Sequence, residues 1–341
     1  MQKSLLEILI LSIILSFACI NSVSAANVYN GTDQNTHDDI NNIISNNMVE
    51  GDVLFFKNGT YNGITGSINV GKSINITAGR GGVLISKPGS RSMSCFYITT
   101  PNVNINNLNI TNYDRGVRVG IGVPGIATLD LANNATLKNL VITNCNIGIE
   151  KFAVYSYSDS NTSPRKISIL NLTISNCIVG ISFNLYKNYL QLSRALFMDN
   201  MDTQLIVQQI NIINNDLGIN LTYYTESQGL GIITVTDLIH YNRFYNNAEH
   251  ISQTHPPYPF LLSKYMDFLD NNWWGQNIPP EYNFAGIKTW FVSNLTLNRT
   301  TINQGESVNF EYTFDLFNNS TKIINYYNNI FYQNLRLNLL L

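Results

Sequence analysis

Apolar and polar residues alternate in short stretches through the middle of the chain, and the same stretch returns at a nearly fixed interval. The repeated segments are ITNYDRGV at 110–117, ITNCNIGI at 142–149, ISNCIVGI at 174–181, IINNDLGI at 212–219 and FYNNAEHI at 244–251. The period-two alternation predicts a short strand, and an Asn-centred turn leads into a second strand. Strands this short bury an apolar face only when units stack, so the repeat predicts a solenoid.

We interpret residues 52 to about 275 as a right-handed parallel β-helix built from stacked coils. Turn asparagines fall in register from coil to coil: Asn112, Asn144, Asn176, Asn214, Asn246 and Asn271. Stacked amides donate and accept hydrogen bonds, whereas stacked like charges repel. A stacked fold therefore explains why the chain is rich in asparagine and only 12% of its residues are charged. A leucine-rich horseshoe is the main alternative, but its repeats are shorter, at about 20–29 residues. A β-sandwich needs no fixed self-match.

An amphipathic helix precedes the repeats and is expected to cover the first coil. The segment Thr36-His37-Asp38-Asp39 predicts a capping box, and Ile40, Ile43, Ile44 and Met48 follow helical spacing. Gly51 ends the helix. Such a helix would cover the unpaired edges and the exposed core of the first coil.

The N-terminal segment, 1–26, predicts a secretory signal peptide. Lys3 precedes an apolar run from Leu5 to Ile20, and both Val23-Ser24-Ala25 and Ser24-Ala25-Ala26 fit the small-x-small rule for cleavage. We therefore expect three parts: a signal peptide at 1–26, the β-helix with its cap at 27–288, and a further β segment at 289–341. The mature chain is expected to be secreted or on the cell surface, without a membrane span. Many Asn-x-Ser/Thr sequons make it a candidate glycoprotein.

Two motifs resemble known families. Residues 51–61 (GDVLFFKNGTY) resemble the opening of pectate-lyase-like β-helix proteins, and residues 271–280 (NNWWGQNIPP) resemble the motif that closes β-helix regions in adhesin-like surface proteins of methanogenic archaea. Residues 295–310 are similar to the first strands of the immunoglobulin-like module that often follows in that family. The resemblance implies an exported adhesin-like protein with no assigned catalytic residues. Since such a module needs about 100 residues, a truncated immunoglobulin-like segment is expected at 289–341.

Catalytic and metal-binding residues are not predicted. Polygalacturonase-type signatures (Asn-Thr-Asp, Gly-His-Gly, Arg-Ile-Lys) do not occur in the coils, and His240, His250 and His255 have no metal-ligand spacing. The charged cluster of Asp114, Arg115 and Arg118 is interpreted as a solvated turn. No cofactor is predicted, and a net charge of −2 argues against nucleic-acid binding.

Two pairs of residues are candidate sites. Trp273 and Trp274 either close the core of the last coil with large aromatic rings or offer a carbohydrate-stacking platform. Cys145 and Cys177 occupy equivalent positions in adjacent coils, about 5 Å apart and within reach of a disulfide. They are alternatively two stacked thiols that act as small apolar residues.

The first functional hypothesis is therefore a non-enzymatic adhesin-like protein that contacts an extracellular glycan or another cell-surface ligand through the sides of the β-helix. The alternative is a β-helix polysaccharide lyase or glycoside hydrolase with an unfamiliar site. The discriminating feature would be three or more Asp, Glu, Arg or Lys side chains that converge on one groove from adjacent coils. A surface-layer spacer is a third possibility.

Overall fold

A computed structural model describes residues 26–79, 83–86, 93–120, 132–156, 165–188, 201–225, 233–235, 238–254, 269–282, 287–297, 310–318 and 321–323. Nearly all of the predicted signal peptide, as well as the segment 324–341, lies outside these ranges. One helix, α1 (His37–Asn42), continues into a π-helical turn at Ile43–Asn47.

The remaining elements are strands. In chain order they are β1 (Val28–Gly31), β2 (Val53–Phe56), β3 (Gly59–Tyr61), β4 (Ile68–Val70), β5 (Asn75–Ala78), β6 (Val83–Ser86), β7 (Ser94–Ile98), β8 (Asn104–Asn106), β9 (Asn109–Thr111), β10 (Arg115–Val119), β11 (Ala135–Lys138), β12 (Val141–Thr143), β13 (Ile147–Ser156), β14 (Arg165–Leu170), β15 (Thr173–Ser175), β16 (Val179–Asn188), β17 (Met201–Gln208), β18 (Asn211–Ile213), β19 (Leu217–Thr225), β20 (Ile233–Val235), β21 (Leu238–His240), β22 (Arg243–Tyr245), β23 (Glu249–Thr254), β24 (Thr289–Leu297), β25 (Phe310–Asn318) and β26 (Thr321–Ile323).

Strands β1 to β23 form three parallel sheets, and most coils of the chain add one strand to each sheet. Sheet A runs β1-β2-β5-β8-β11-β14-β17-β20, with β21 also paired to β17. Sheet B runs β3-β6-β9-β12-β15-β18-β22, and sheet C runs β4-β7-β10-β13-β16-β19-β23. Three sheets wound in this order make a parallel β-helix, so the predicted fold is confirmed.

The register of the sheets follows the sequence repeat. Within sheet B, Ile110, Ile142, Ile174, Ile212 and Phe244 lie side by side on successive strands. Leu137, Ile169, Val207 and Ile239 form an equivalent column in sheet A. All are buried, so each column is part of one apolar core along the axis.

The helix covers the first coil as predicted. The Thr36 side chain accepts a hydrogen bond from the Asp39 amide at 3.2 Å, and the Asp39 carboxylate accepts one from the Thr36 amide at 2.8 Å, which completes the capping box. Ile40, Ile44 and Met48 are buried in the core. Asn41 fastens the helix to sheet C because its side chain donates to Ser67 O at 3.0 Å and accepts from Asn69 N at 2.7 Å.

A small antiparallel sheet follows the last coil. Its order is β24-β25-β26, and Trp290 in β24 forms a parallel bridge with Asn272. The likeness of residues 289–341 to an immunoglobulin module stays a prediction. None of the helices within the described ranges is long and apolar enough to cross a bilayer.

Candidate charged site on sheet C

Four charged side chains from two adjacent coils meet on the outer face of sheet C. Asp114 directly precedes β10, Arg115 and Arg118 lie within that strand, and Glu150 lies in β13. The buried Val117 and Val119 point into the core, so alternation along the strand turns Arg118 outward. The parallel register pairs Arg118 with Glu150, and the strands therefore bring these opposite charges together.

The Glu150 carboxylate holds both arginines. Its Oε2 atom pairs with Nε of Arg115 and lies 3.3 Å from Nε of Arg118. A terminal nitrogen of Arg115 also pairs with Asp114, whose other oxygen accepts from the Asn146 amide at 2.8 Å. One guanidinium thus bridges two carboxylates from adjacent coils.

Aromatic rings fix the second guanidinium. The Cζ atom of Arg118 lies 5.2 Å from the ring centre of Tyr97 in β7 and 5.2 Å from that of Phe152 in β13. Both distances suit cation–π contacts. The plane of Arg118 is therefore restrained by three consecutive strands of sheet C.

The cluster forms one side of an open cleft of about 500 Å³. Tyr97, Arg115 and Arg118 line it from sheet C, while His37 and Asn41 line it from helix α1. The side chains of Arg115 and Arg118 are 28% and 25% exposed, whereas that of Glu150 is only 4% exposed. The cleft therefore presents two arginines together with the carboxylates of Asp38 and Asp114, and the buried Glu150 pairs with both arginines from behind.

Burial shapes the electrostatics of this cluster. Loss of water raises the pKa of Glu150, while the positive charges of Arg115 and Arg118 act in the opposite direction and Asp114 reinforces the rise. The next residue, Lys151, points into the core between Val119 and Phe183, and its ammonium donates to Ala132 O at 2.9 Å.

The interpretation of Asp114, Arg115 and Arg118 as a solvated turn is wrong. All three side chains are mostly buried and ion-paired. Glu150 lies opposite Arg118 on the next strand and also pairs with Arg115, which in turn pairs with Asp114. Glu150 was not predicted as a site residue, although it lies one repeat interval after Arg118. Tyr97 and His37 were not predicted either, because they lie outside the regular repeats.

The two tryptophans close the end of the β-helix. Trp274 is 1% exposed and stacks on Phe244 at 4.8 Å, so neither face of its indole is open to a sugar ring. Trp273 is half-buried, stacks parallel to Tyr245 at 6.1 Å and meets the edge of Phe314 at 5.6 Å. These contacts are those of the core-closing alternative. A carbohydrate-binding role for Trp273 stays a prediction.

Cys145 and Cys177 are not joined by a disulfide in the structure, which corresponds to the alternative of two stacked thiols, and the disulfide stays a prediction. Each thiol instead contacts the last backbone carbonyl of the strand before it, Cys145 that of Thr143 and Cys177 that of Ser175, both at 3.5 Å. Both side chains are buried in the core column. Hydrogen bonding to Cys177, together with burial, raises the pKa of Cys145.

No cluster of three or more metal-ligating side chains occurs among the described residues. His250 lies within strand β23. Its ring packs 5.8 Å from Phe244 and 6.1 Å from Trp274, and burial lowers its pKa.

The comparisons with known proteins find one similarity and two empty results. No protein-family model matches the chain, and no curated protein matches it. Among solved structures, the chain is similar to a mannuronic acid specific polysaccharide family 6 lyase enzyme from human gut microbiota, at 11% identity and a TM-score of 0.24. The match covers 77% of this chain and 90% of that chain.

The prediction of a non-enzymatic adhesin-like protein is therefore corrected in favour of its alternative. The matching solved structure is a polysaccharide lyase and not an adhesin. At this level of similarity the match does not bear on activity, which is a separate question for the charged cluster. The criterion set for the alternative is met in part: Asp114, Arg115 and Arg118 line the cleft from one coil, while Glu150 of the next coil pairs with both arginines from behind.

Proposed function

We propose that this protein is a polysaccharide lyase that binds an acidic glycan in the cleft between helix α1 and sheet C. The observation that carries the proposal is the pair of arginines, Arg115 and Arg118, which line the cleft while Glu150 holds both from behind. Arginine suits carboxylate groups because its planar fork of donors matches their geometry. A uronic acid is the sugar that supplies such a carboxylate.

The chemistry of β-elimination explains why such cations matter. The proton on C5 of a uronic acid becomes removable when the charge of the adjacent carboxylate is neutralised. A base then takes that proton, and the electron pair of the C5–H bond forms a C4–C5 double bond. The C4–O bond breaks at the same time, and the leaving oxygen receives a proton. Positioned cations stabilise the charge that develops in this step by fixed electrostatics.

The cleft also contains groups that transfer protons. Tyr97 and His37 line it from opposite sides, and Asp114 lies beside Arg115. His and Tyr are both established residue types for general acid–base catalysis. In this proposal Arg115 and Arg118 hold the sugar carboxylate, while Tyr97 and His37 are the candidates for removal and return of the proton.

The proposal places the protein outside the cell, where long polysaccharides occur. The predicted signal peptide and the sequons support this location, and an extracellular acidic glycan is the proposed partner. No nucleic-acid partner is proposed.

The direct test is to incubate the mature chain with polymannuronate, polygalacturonate and a neutral glucan. We expect unsaturated sugar ends, detected by ultraviolet absorbance, from an acidic polymer and none from the neutral one. Arg118→Ala is expected to lower the rate about 100-fold or more, the scale of losing one positioned electrostatic donor. Lys138→Ala, at an exposed position in sheet A, is the matched control and should retain full activity.

Three results would overturn the proposal. The first is the absence of product from every acidic polymer by a folded wild-type chain. The second is new reducing ends without unsaturation, which would indicate a hydrolase that uses Asp114 and Glu150 as its carboxylate pair. The third is an unchanged rate in Arg118→Ala.

A further inference from the structure

The backbone nitrogen of Asn27 is held by a carboxylate and not by a carbonyl. It donates to Oδ1 of Asp52 at 2.9 Å, while Oδ2 of the same side chain accepts from Val49 N at 2.8 Å. Asp52 is only 2% exposed, although Asn27 itself lies at the surface. The first strand of sheet A therefore begins on a buried negative charge beside an exposed residue.

The regular ladder starts only after this contact. Val53 N donates to Asn27 O at 2.9 Å, and β1 then pairs with β2 from Val28 onward. The nitrogen of Asn27 is thus the donor that directly precedes β1, at the edge of the β-helix. A carboxylate binds a charged ammonium more strongly than a neutral amide.

The nearby charged groups leave room for such a cation. Lys72 directs its ammonium at Ser45 O and Met48 O, at 2.8 and 2.5 Å, and acts on Asp52 through its charge. Glu50 accepts from Ser73 N at 3.1 Å. Hydrogen bonding from Val49 and from Asn27, with the charge of Lys72, lowers the pKa of Asp52, so its carboxylate is ionised at neutral pH.

The sequence offers two cleavage points just before this residue. Ser24-Ala25-Ala26 directs cleavage after Ala26, and Val23-Ser24-Ala25 directs it after Ala25. We propose that an endopeptidase selective for small residues hydrolyses the Ala26–Asn27 bond, and that the new α-ammonium of Asn27 forms an ion pair with Asp52. Water supplies the hydroxyl for the Ala26 carboxylate and the hydrogen for the Asn27 amine.

This inference is independent of the proposed lyase activity. Cleavage after Ala26 replaces a neutral amide at Asp52 by a positive charge and ties the edge strand to the first coil. Cleavage after Ala25 leaves the peptide nitrogen of Asn27 as it is. The two cleavage points therefore give mature proteins of different stability.

The first experiment is to express the full chain in a host that exports it and to determine the mature N-terminus by mass and terminal sequencing. Asn27 is the expected first residue. A mature chain that begins at Ala26, or one that retains the leader, would overturn the proposal.

The second experiment compares purified chains that begin at Asn27 and at Ala26. The α-ammonium pKa is about 8 when unperturbed, and the ion pair with Asp52 should raise it in the folded chain. The added stability is present below about pH 8 as long as Asp52 is ionised, and it is lost as the pH rises through the raised pKa of the ammonium. We expect the Asn27 chain to melt about 2–4 °C higher at about pH 6 and the two chains to converge at high pH.

Asp52→Asn is the matched variant, because it removes the charge and keeps one of the two acceptor oxygens of Asp52. In this background the two start points should melt at the same temperature at every pH. If the variant does not fold, acetylation of the Asn27 amine in the wild-type chain removes the positive charge of the ion pair and should likewise abolish the difference in melting temperature. A difference that persists without the carboxylate or without the ammonium would refute the ion pair.

Discussion

Gly218 lies opposite His250, and the two residues occupy the same position in successive coils. A Cβ atom at Gly218 would lie 2.4 Å from the carbonyl oxygen of His250, so a side chain is excluded there. Gly116, Gly148 and Gly180 each face the carbonyl of the next coil in the same way. His250 is permitted because β23 is the last strand of sheet C in the described part of the chain.

Gly148→Ala should therefore destabilise the β-helix. The added methyl would lie 2.5 Å from Gly180 O and 2.7 Å from a methyl of Ile174, and backbone on one side prevents relief. We expect a loss of about 1–3 kcal/mol in the free energy of unfolding, measured by chemical denaturation. Gly71→Ala is the matched control, since the closest atom there is 3.9 Å away. Equal stability of the two variants would contradict the explanation.

The turn asparagines provide a second prediction, because all six of the aligned set have a positive φ, as Asn176 does at 56°. Ala is disfavoured in this conformation by about 1–2 kcal/mol, whereas Gly is not. Asn176→Ala should thus lower the free energy of unfolding by about 1 kcal/mol and Asn176→Gly by much less, as measured by chemical denaturation. If both variants lose the same amount, the amide group itself and not the backbone conformation explains asparagine at this position.

The raised pKa of Glu150 predicts a pH-dependent stability. The unfolded carboxyl has a pKa of about 4.3, so between this value and the higher folded value the folded chain holds the extra proton. The free energy of unfolding therefore falls as the pH rises through that window. Glu150→Gln should flatten this part of the stability curve, measured by denaturation at a series of pH values from about 4 to about 7.

Asp52 is the control for the Glu150 experiment, because its pKa is shifted in the opposite direction. Its pKa is lowered, so its contribution is present above about pH 3.9 and is lost as the pH falls through the folded value. Asp52→Asn should change the acid limb and leave the slope attributed to Glu150. A slope that survives in Glu150→Gln would mean that another group titrates there.

Thiol reactivity distinguishes the two interpretations of the cysteine pair. Cys95, Cys145 and Cys177 are buried, and burial raises the pKa of Cys95, so none should react with a thiol reagent in the native state. After unfolding without reductant, all three are expected to react in the chain that begins at Asn27, which lacks Cys19. Reaction of Cys95 alone would show that Cys145 and Cys177 are joined.

The sequence predicted the fold well where coils have equal length. Val117 and Ile149 are neighbours on sheet C and lie one repeat interval apart in the chain, so a direct self-comparison aligns them. Val117 and Phe96 are also neighbours but lie closer together in the chain, so this earlier coil does not show the same interval. The place of Tyr97 in the site could therefore not be predicted from the repeat.

Amide stacking, from which the sequence pattern of the turn asparagines was interpreted, explains only part of why asparagine occurs at these positions. Some amides do stack, as when Asn246 donates to Asn214 at 2.8 Å. The left-handed backbone at these turns is the more general cause, and it depends on φ angles that periodicity does not reveal. Asparagine tolerates this conformation better than most residues.

The charged site was not predicted because positions were compared between coils at the turn of Asp114 and not along the strand that follows it. The register of that strand places Glu150 opposite Arg118. The contribution of His37 depended on how helix α1 lies over sheet C, which helical spacing alone does not define.

The glycine column also determines how a rod of this kind gains length during evolution. If one repeat unit near Gly148 were duplicated in tandem, the glycine of the new coil would lie between glycines of the two neighbouring coils. The stack would then lengthen in register. A unit appended after β23 would bring a new carbonyl against the His250 side chain. Growth is thus permitted within the column from Gly116 to Gly218.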